Sequence, residues 1–176
     1  MYRKKDIPKI FTIPKNGRPA SLYEVDYQKV ALLYRADDDC YLRLWDTYSE
    51  LDGAIEPQPD LHVRQGAASQ PDNDMAVDQQ LMAMYTLGKK SIIKWDMSTV
   101  GLIDSCDLPM TPDQVKLNHD CSKLLVTMDD TRKLSVISTS TMLEILSFNL
   151  HEKRCIDFAI SEDDKLIVST HSDFIF

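Results

Sequence analysis

Reactive side chains in this sequence gather in a few short stretches: Asp37-Asp38-Asp39, Asp72-Asn73-Asp74, Asp129-Asp130, Glu162-Asp163-Asp164, His119-Asp120-Cys121, and His151 with Cys155. Calcium ligation is the chemistry that paired carboxylates suggest, but a calcium loop also needs its central glycine and terminal glutamate, and no acidic stretch has them. The histidine and cysteine pairs lack zinc spacing. The five glycines, Gly17, Gly53, Gly66, Gly88 and Gly101, never cluster, whereas a phosphate-cradling loop needs several together. The acidic stretches therefore read as solvated turns. The expectation is a protein without catalytic residues, cofactor, metal or small-molecule substrate.

The elements that carry these turns come from the apolar pattern. Leu81–Thr86, the turn Leu87–Lys90 and Ser91–Asp96 form one apolar-turn-apolar unit, followed by Val100–Cys106. The same order returns as Leu124–Met128, the turn Asp129–Arg132, Lys133–Ile137 and Met142–Phe148. Trp95 and Ile137 become equivalent, 42 positions apart, and the same shift lays Lys123–Val126 on Lys165–Val168. Val30–Tyr34, Ala36–Asp39 and Tyr41–Asp46 make an earlier unit, with Trp45 standing 50 residues before Trp95. The surplus falls in residues 56–74, where Pro57, Pro59, Gly66 and Pro71 predict an exposed insertion loop. Runs this short, rich in Val, Ile, Leu, Tyr and Thr, predict strands and an all-β fold. Within Tyr41–Trp45, Leu42 and Leu44 share one face, while Tyr41, Arg43 and Trp45 share the other.

Two strand endings, Leu42-Arg43-Leu44-Trp45-Asp46 and Ile92-Ile93-Lys94-Trp95-Asp96, resemble the Trp-Asp signature of the WD40 family. The period fits that family's repeats of about 40 to 45 residues, each a four-stranded propeller blade. The resemblance covers most of the chain, from about Ser21 to Phe176, with Trp45, Asp46, Trp95 and Asp96 as its motif residues. It departs at the third unit, which has Ile137-Ser138 at this position, and in the absence of a Gly-His dipeptide. The family's buried His, Ser/Thr, Trp and Asp network is thereby incomplete, with Thr86 or Thr127 available as its hydroxyl.

The resemblance implies a WD40-type β-propeller segment over residues 20–176, with units at about 20–55, 75–109, 113–150 and 154–176, after an N-terminal arm of residues 1–19. Seven blades of this length would need about 290 residues, so an incomplete propeller of about four blades, the last truncated, is expected. The family's default implies a non-catalytic scaffold for other proteins in a larger assembly, cytoplasmic, in a cytoskeletal or ciliary setting, with the nucleus as alternative. Candidate protein-binding residues stand on the turns: Asp37, Asp38, Asp39, Lys89, Lys90, Asp129, Asp130 and Arg132.

Charge narrows the partners. The net charge of −8 divides into +5 over the first 18 residues and −13 over the rest. An acidic body repels phosphates, so nucleic acid is disfavoured except through the basic arm. That arm supports an alternative, a subunit of an RNA-processing or ribosome-assembly complex. A small-ligand binder or enzyme on a non-propeller β fold is the other alternative. No apolar run approaches the roughly 20 residues of a membrane helix, and no secretory signal follows Met1, which predicts no membrane and an intracellular protein. The four cysteines, Cys40, Cys106, Cys121 and Cys155, lie far apart and read as reduced, mostly buried thiols. Met82, Met84, Met97, Met110 and Met128 read as packing residues.

Overall fold

The computed structural model describes residues 17–26, 29–36, 39–46, 61–65, 75–99, 101–128, 133–149 and 155–171. Every regular element among them is a β-strand. The first sheet is β1 (Gly17–Asp26), β2 (Lys29–Ala36), β3 (Asp39–Asp46) and β4 (Leu61–Gln65). The second is β5 (Met75–Asp78), β6 (Ala83–Leu87), β7 (Ser91–Asp96) and β8 (Gly101–Asp107). The third is β9 (Pro112–Leu117), β10 (Lys123–Met128), β11 (Lys133–Ser138) and β12 (Glu144–Asn149). A final hairpin joins β13 (Cys155–Ile160) to β14 (Ile167–His171). Each four-stranded sheet is an antiparallel meander in chain order, which short connections favour.

Several boundaries differ from the sequence expectation. Residues 61–65, placed in an insertion loop, form β4 and complete the first sheet beside β3. Gly17–Pro19, placed in the basic arm, belong to β1. The short strand β5 was not anticipated, and Leu81 and Met82 lie in the turn after it. Met142 and Leu143 likewise belong to a turn, with β12 starting at Glu144. The physical reason for the last two is that turn residues here carry apolar side chains, so hydrophobicity overstates strand length. Met82, Cys121 and Asp164 each take a positive φ, 49°, 57° and 58°, in the turn between a sheet's first two strands. None is glycine, and only the acidic stretch Glu162-Asp163-Asp164 is marked as a turn by its composition.

The repeat is visible in hydrogen bonding as well as in sequence. Pairing sets Met84 opposite Trp95 in the second sheet and Leu124 opposite Ile137 in the third. Met97 N–H donates to the Met82 carbonyl at 2.9 Å, and Thr139 N–H to the Ser122 carbonyl at 3.0 Å. A register shift falls between Lys94 and Trp95 in one sheet and between Val136 and Ile137 in the next. A bulge repeated at one offset is a feature of the unit.

Two clusters form the core. One lies between the second and third sheets and includes Tyr85, Leu87, Ile92, Leu124, Val126 and Ile137. The other joins the third sheet to the hairpin through Leu125, Leu134, Cys155 and Phe158. Each large side chain fully buried in this way stabilises by roughly 1.5 to 3 kcal/mol. Met84, Met97 and Met128 are buried, in agreement with a packing role, whereas Met110 is 38% exposed.

Candidate interaction surface

Of the expected motif residues, Trp95 and Asp96 have described surroundings. Trp95 Nε1–H donates to Thr86 Oγ1 at 2.8 Å, both groups buried. Asp96 ends the strand by accepting Ser98 N–H at 2.7 Å and Thr99 N–H at 3.1 Å on Oδ1, as aspartate does in tight turns. Those hydrogen bonds, with the Ser98 hydroxyl foremost, hold the Asp96 carboxyl below its usual range. For Trp45 and Asp46 the structure places the backbone, Trp45 opposite Val30 and Asp46 opposite Lys29.

The third unit shows what replaces the Trp-Asp pair. Register equates Ile137 with Trp95 and Val126 with Thr86, and both are fully buried. Donor and acceptor have thus been exchanged together for two apolar side chains, which leaves no orphaned polar atom. Ser138 takes the position of Asp96, and its hydroxyl meets Ser140 Oγ at 2.9 Å. Thr127, the other hydroxyl candidate, is buried without a side-chain partner among the described residues.

Polar side chains also tie one sheet to the next. Lys94 Nζ reaches the Thr139 carbonyl at 2.9 Å and lies 5.7 Å from the Tyr85 ring centre. Lys116 bridges to the hairpin through Asp157 at 2.7 Å and the Phe158 carbonyl, and Gln114 donates to the Ile156 carbonyl. Bonding to Lys116 keeps the Asp157 carboxyl below its normal value. Asp164 accepts Asn118 Nδ2 and the His119 N–H, both at 2.9 Å, so the expected solvated turn Glu162-Asp163-Asp164 is bound to the turn that follows β9. Asp120, held down to about 2 chiefly by Ser122, closes its own turn. Among the described residues, no group of three or more His, Cys, Asp or Glu side chains is placed to hold a metal ion. Cys106, Cys121 and Cys155 are free, and burial pushes each of these thiols upward.

Besides Thr127, a second buried polar side chain stays outside this network. Tyr85 is fully buried, and its hydroxyl makes no hydrogen bond among the described residues, while the nearby Thr139 hydroxyl donates to the Cys121 carbonyl at 2.9 Å. Burial, reinforced by the Asp78 carboxylate, pushes the phenol up to about 12. The unfolded chain ionises near 10, so this group's contribution is complete below that pH and disappears as pH rises through 12. Tyr85→Phe is expected to keep or slightly raise stability at neutral pH and to flatten the decline between 10 and 12. Urea melts across that range check both points, and an unchanged decline would show that another group causes it.

Of the candidate binding residues, Lys89 and Lys90 lie exposed on the turn between β6 and β7. That turn is tight: Gly88 N–H donates to the Ser91 carbonyl at 2.7 Å, and a Cβ at Gly88 would collide with the Ser91 hydroxyl. Asp39 begins β3 opposite Ala36. Asp37, Asp38, Asp129, Asp130 and Arg132 lie outside the described residues. The sequence reading did not anticipate a groove of about 210 Å³ between the third sheet and the hairpin, lined by Leu125, Val136, Leu146, Phe148, Ile160 and Ile167.

No family model matches this chain, and no curated protein is similar to it in sequence. Similarity appears at the level of fold, with 578 chains of solved structures. One is a chain of Kuenenia stuttgartiensis hydrazine synthase, with a TM-score of 0.70 and 15% identity, over 97% of this chain and 46% of that one. The chain therefore spans just under half the length of that neighbour, and the likeness concerns fold alone.

Proposed function

We propose that this chain is a segment of a WD40-type β-propeller that acts as a non-catalytic platform for other proteins. The reading is supported by antiparallel meanders succeeding one another along the chain, the second and third with Trp95 and Ile137 at equivalent pairing positions and joined by buried side chains. The observation that carries it is how the polar groups are used. Trp95, Thr86, Asp96, Lys94, Lys116 and Asp164 are engaged within the frame, while Lys89 and Lys90 stand exposed on a rigid turn. A stiff frame with exposed turns presents a preformed contact surface. The assembly it serves is an intracellular one, cytoskeletal or ciliary, in this proposal.

The test is quantitative affinity purification of the intact protein beside its Lys89→Glu/Lys90→Glu variant. A defined subset of partners is expected to fall at least fivefold with the thermal midpoint unchanged, because the altered side chains are exposed. An identical partner profile would remove this turn as a contact surface. Substrate turnover by the purified chain would overturn the non-catalytic reading.

A further inference from the structure

Two polar atoms lie close together and unsatisfied inside the junction between the third sheet and the hairpin. Strand pairing sets Thr127 of β10 opposite Gln114 of β9. Opposed residues of an antiparallel pair share one face, and Leu125, two residues before Thr127, shares it as well. That face packs on the hairpin, because Leu125 belongs to the cluster that holds Cys155 and Phe158. Thr127 is 2% exposed and Gln114 8%, yet neither Thr127 Oγ1 nor Gln114 Oε1 makes a hydrogen bond among the described residues.

The Gln114 amide cannot satisfy itself by turning over. Its Nε2 donates to the Ile156 carbonyl, as Lys116, two residues further along β9, donates to the Phe158 carbonyl. A half-turn of the amide would set oxygen against oxygen at Ile156, so Oε1 is fixed as an acceptor in need of a donor. The Thr127 hydroxyl can both donate and accept. Next to this pair the ladder slips: Met128 is opposite Pro112, so Asp113 is an extra residue on β9. Such a bulge disrupts the ladder and bends the strand, and Pro112 has no N–H to offer. An acceptor and a hydroxyl left dry in an interior are strongly unfavourable, whereas a molecule bridging them costs little to immobilise.

We propose that Thr127 Oγ1 and Gln114 Oε1 hold one ordered water molecule as a constituent of the junction between the third sheet and the hairpin. The water donates to Gln114 Oε1 and accepts a hydrogen bond from the Thr127 hydroxyl. A ligand that donates to one atom, accepts from the other and fits a site this enclosed is water, not an ion. By holding Oε1 the water fixes the amide whose other end caps the Ile156 carbonyl of β13. The hairpin is thus seated by one wet polar point of defined geometry beside the apolar contact of Leu125, Leu134 and Phe158.

Thr127→Val in the whole chain tests the site by the sign of its effect. If water bridges the two groups, denaturant melts should show the folding equilibrium constant lowered about fivefold; at a dry site, a methyl in place of an unpaired hydroxyl leaves it unchanged or raises it. The loss should be at least threefold smaller in a Gln114→Met background, since the two side chains make no direct bond and couple only through the water. The missing amide donor to Ile156 is common to both arms of that comparison and cancels. Crystal structures at near-atomic resolution supply the direct readout: one water within hydrogen-bonding distance of both atoms in the unaltered chain and in Thr127→Ser, and none in Thr127→Val. An unchanged or raised equilibrium constant for Thr127→Val overturns the proposal. So does an unaltered chain without that water, or one in which Thr127 donates to Gln114 directly.

Discussion

Replacing Trp95 with alanine is expected to lower the unfolding free energy by about 3 to 5 kcal/mol, the range for a large aromatic removed from a packed interior. Trp95 is 9% exposed and pairs across strands with Met84, which is wholly enclosed, so the vacated volume opens on the centre of the second sheet. The indole N–H adds a second effect. Thr86→Val removes its acceptor and leaves the donor buried, at a cost of about 1 to 3 kcal/mol. Thr86→Val is expected to cost much less once Trp95→Ile is present, because the third unit already carries Ile137 with Val126 at these positions, both at 0% exposure. Denaturant melts of the four proteins in this double-mutant cycle give the coupling. Strict additivity would mean that the 2.8 Å hydrogen bond contributes nothing to stability.

Phe158→Ala is expected to cost a similar amount, about 3 to 5 kcal/mol, with its effect concentrated in one place. The Phe158 ring is 2% exposed, packs with Leu125 and Leu134 of the third sheet, and lies 5.0 Å from the Lys116 ammonium. A two-stranded hairpin is marginal by itself, so β13 and β14 depend on this anchor. Hydrogen exchange should therefore show protection lost over Cys155–Ile160 and Ile167–His171, with Ala83–Leu87 and Ser91–Asp96 still protected. Phe158→Leu, which keeps most of the volume, should cost less than about 1.5 kcal/mol. Protection lost uniformly along the chain would show that the hairpin and the third sheet unfold as one unit with the rest.

The sequence made the strand pairs around Trp95 and Ile137 legible because they are local: apolar runs, a polar turn, and a second apolar run whose spacing repeats. It did not reveal β4 or β5. Leu61–Gln65 carries histidine, arginine and glutamine within a proline-rich stretch, and Met75–Asp78 is four residues long without a strong strand former apart from Val77. What holds such segments is pairing with a long neighbour, which composition does not record. Thr86 and Thr127 were both available as the hydroxyl of the family's network, and the structure sets Thr86 against Trp95. The 42-residue period maps Thr86 onto Met128, but the turn between β10 and β11 is longer by two residues, so its counterpart is Val126.

By itself the sequence determined that the segments around Trp95 and Ile137 extend, that Asp96 ends a strand, and the 42-residue interval between the two, since these depend on side chains within a few residues of one another. Tertiary structure decided which apolar residues are covered. Met84, Leu124 and Ile167 hold equivalent positions in strand register, where the sequence period sets Leu124 on Leu166, and the first two are fully buried while Ile167 is 36% exposed. Burial depends on the strand placed alongside and on the sheet packed across, and neither is encoded in the residue's own neighbourhood. The ties from Lys94 to Thr139 and from Lys116 to Asp157 span 45 and 41 positions for the same reason.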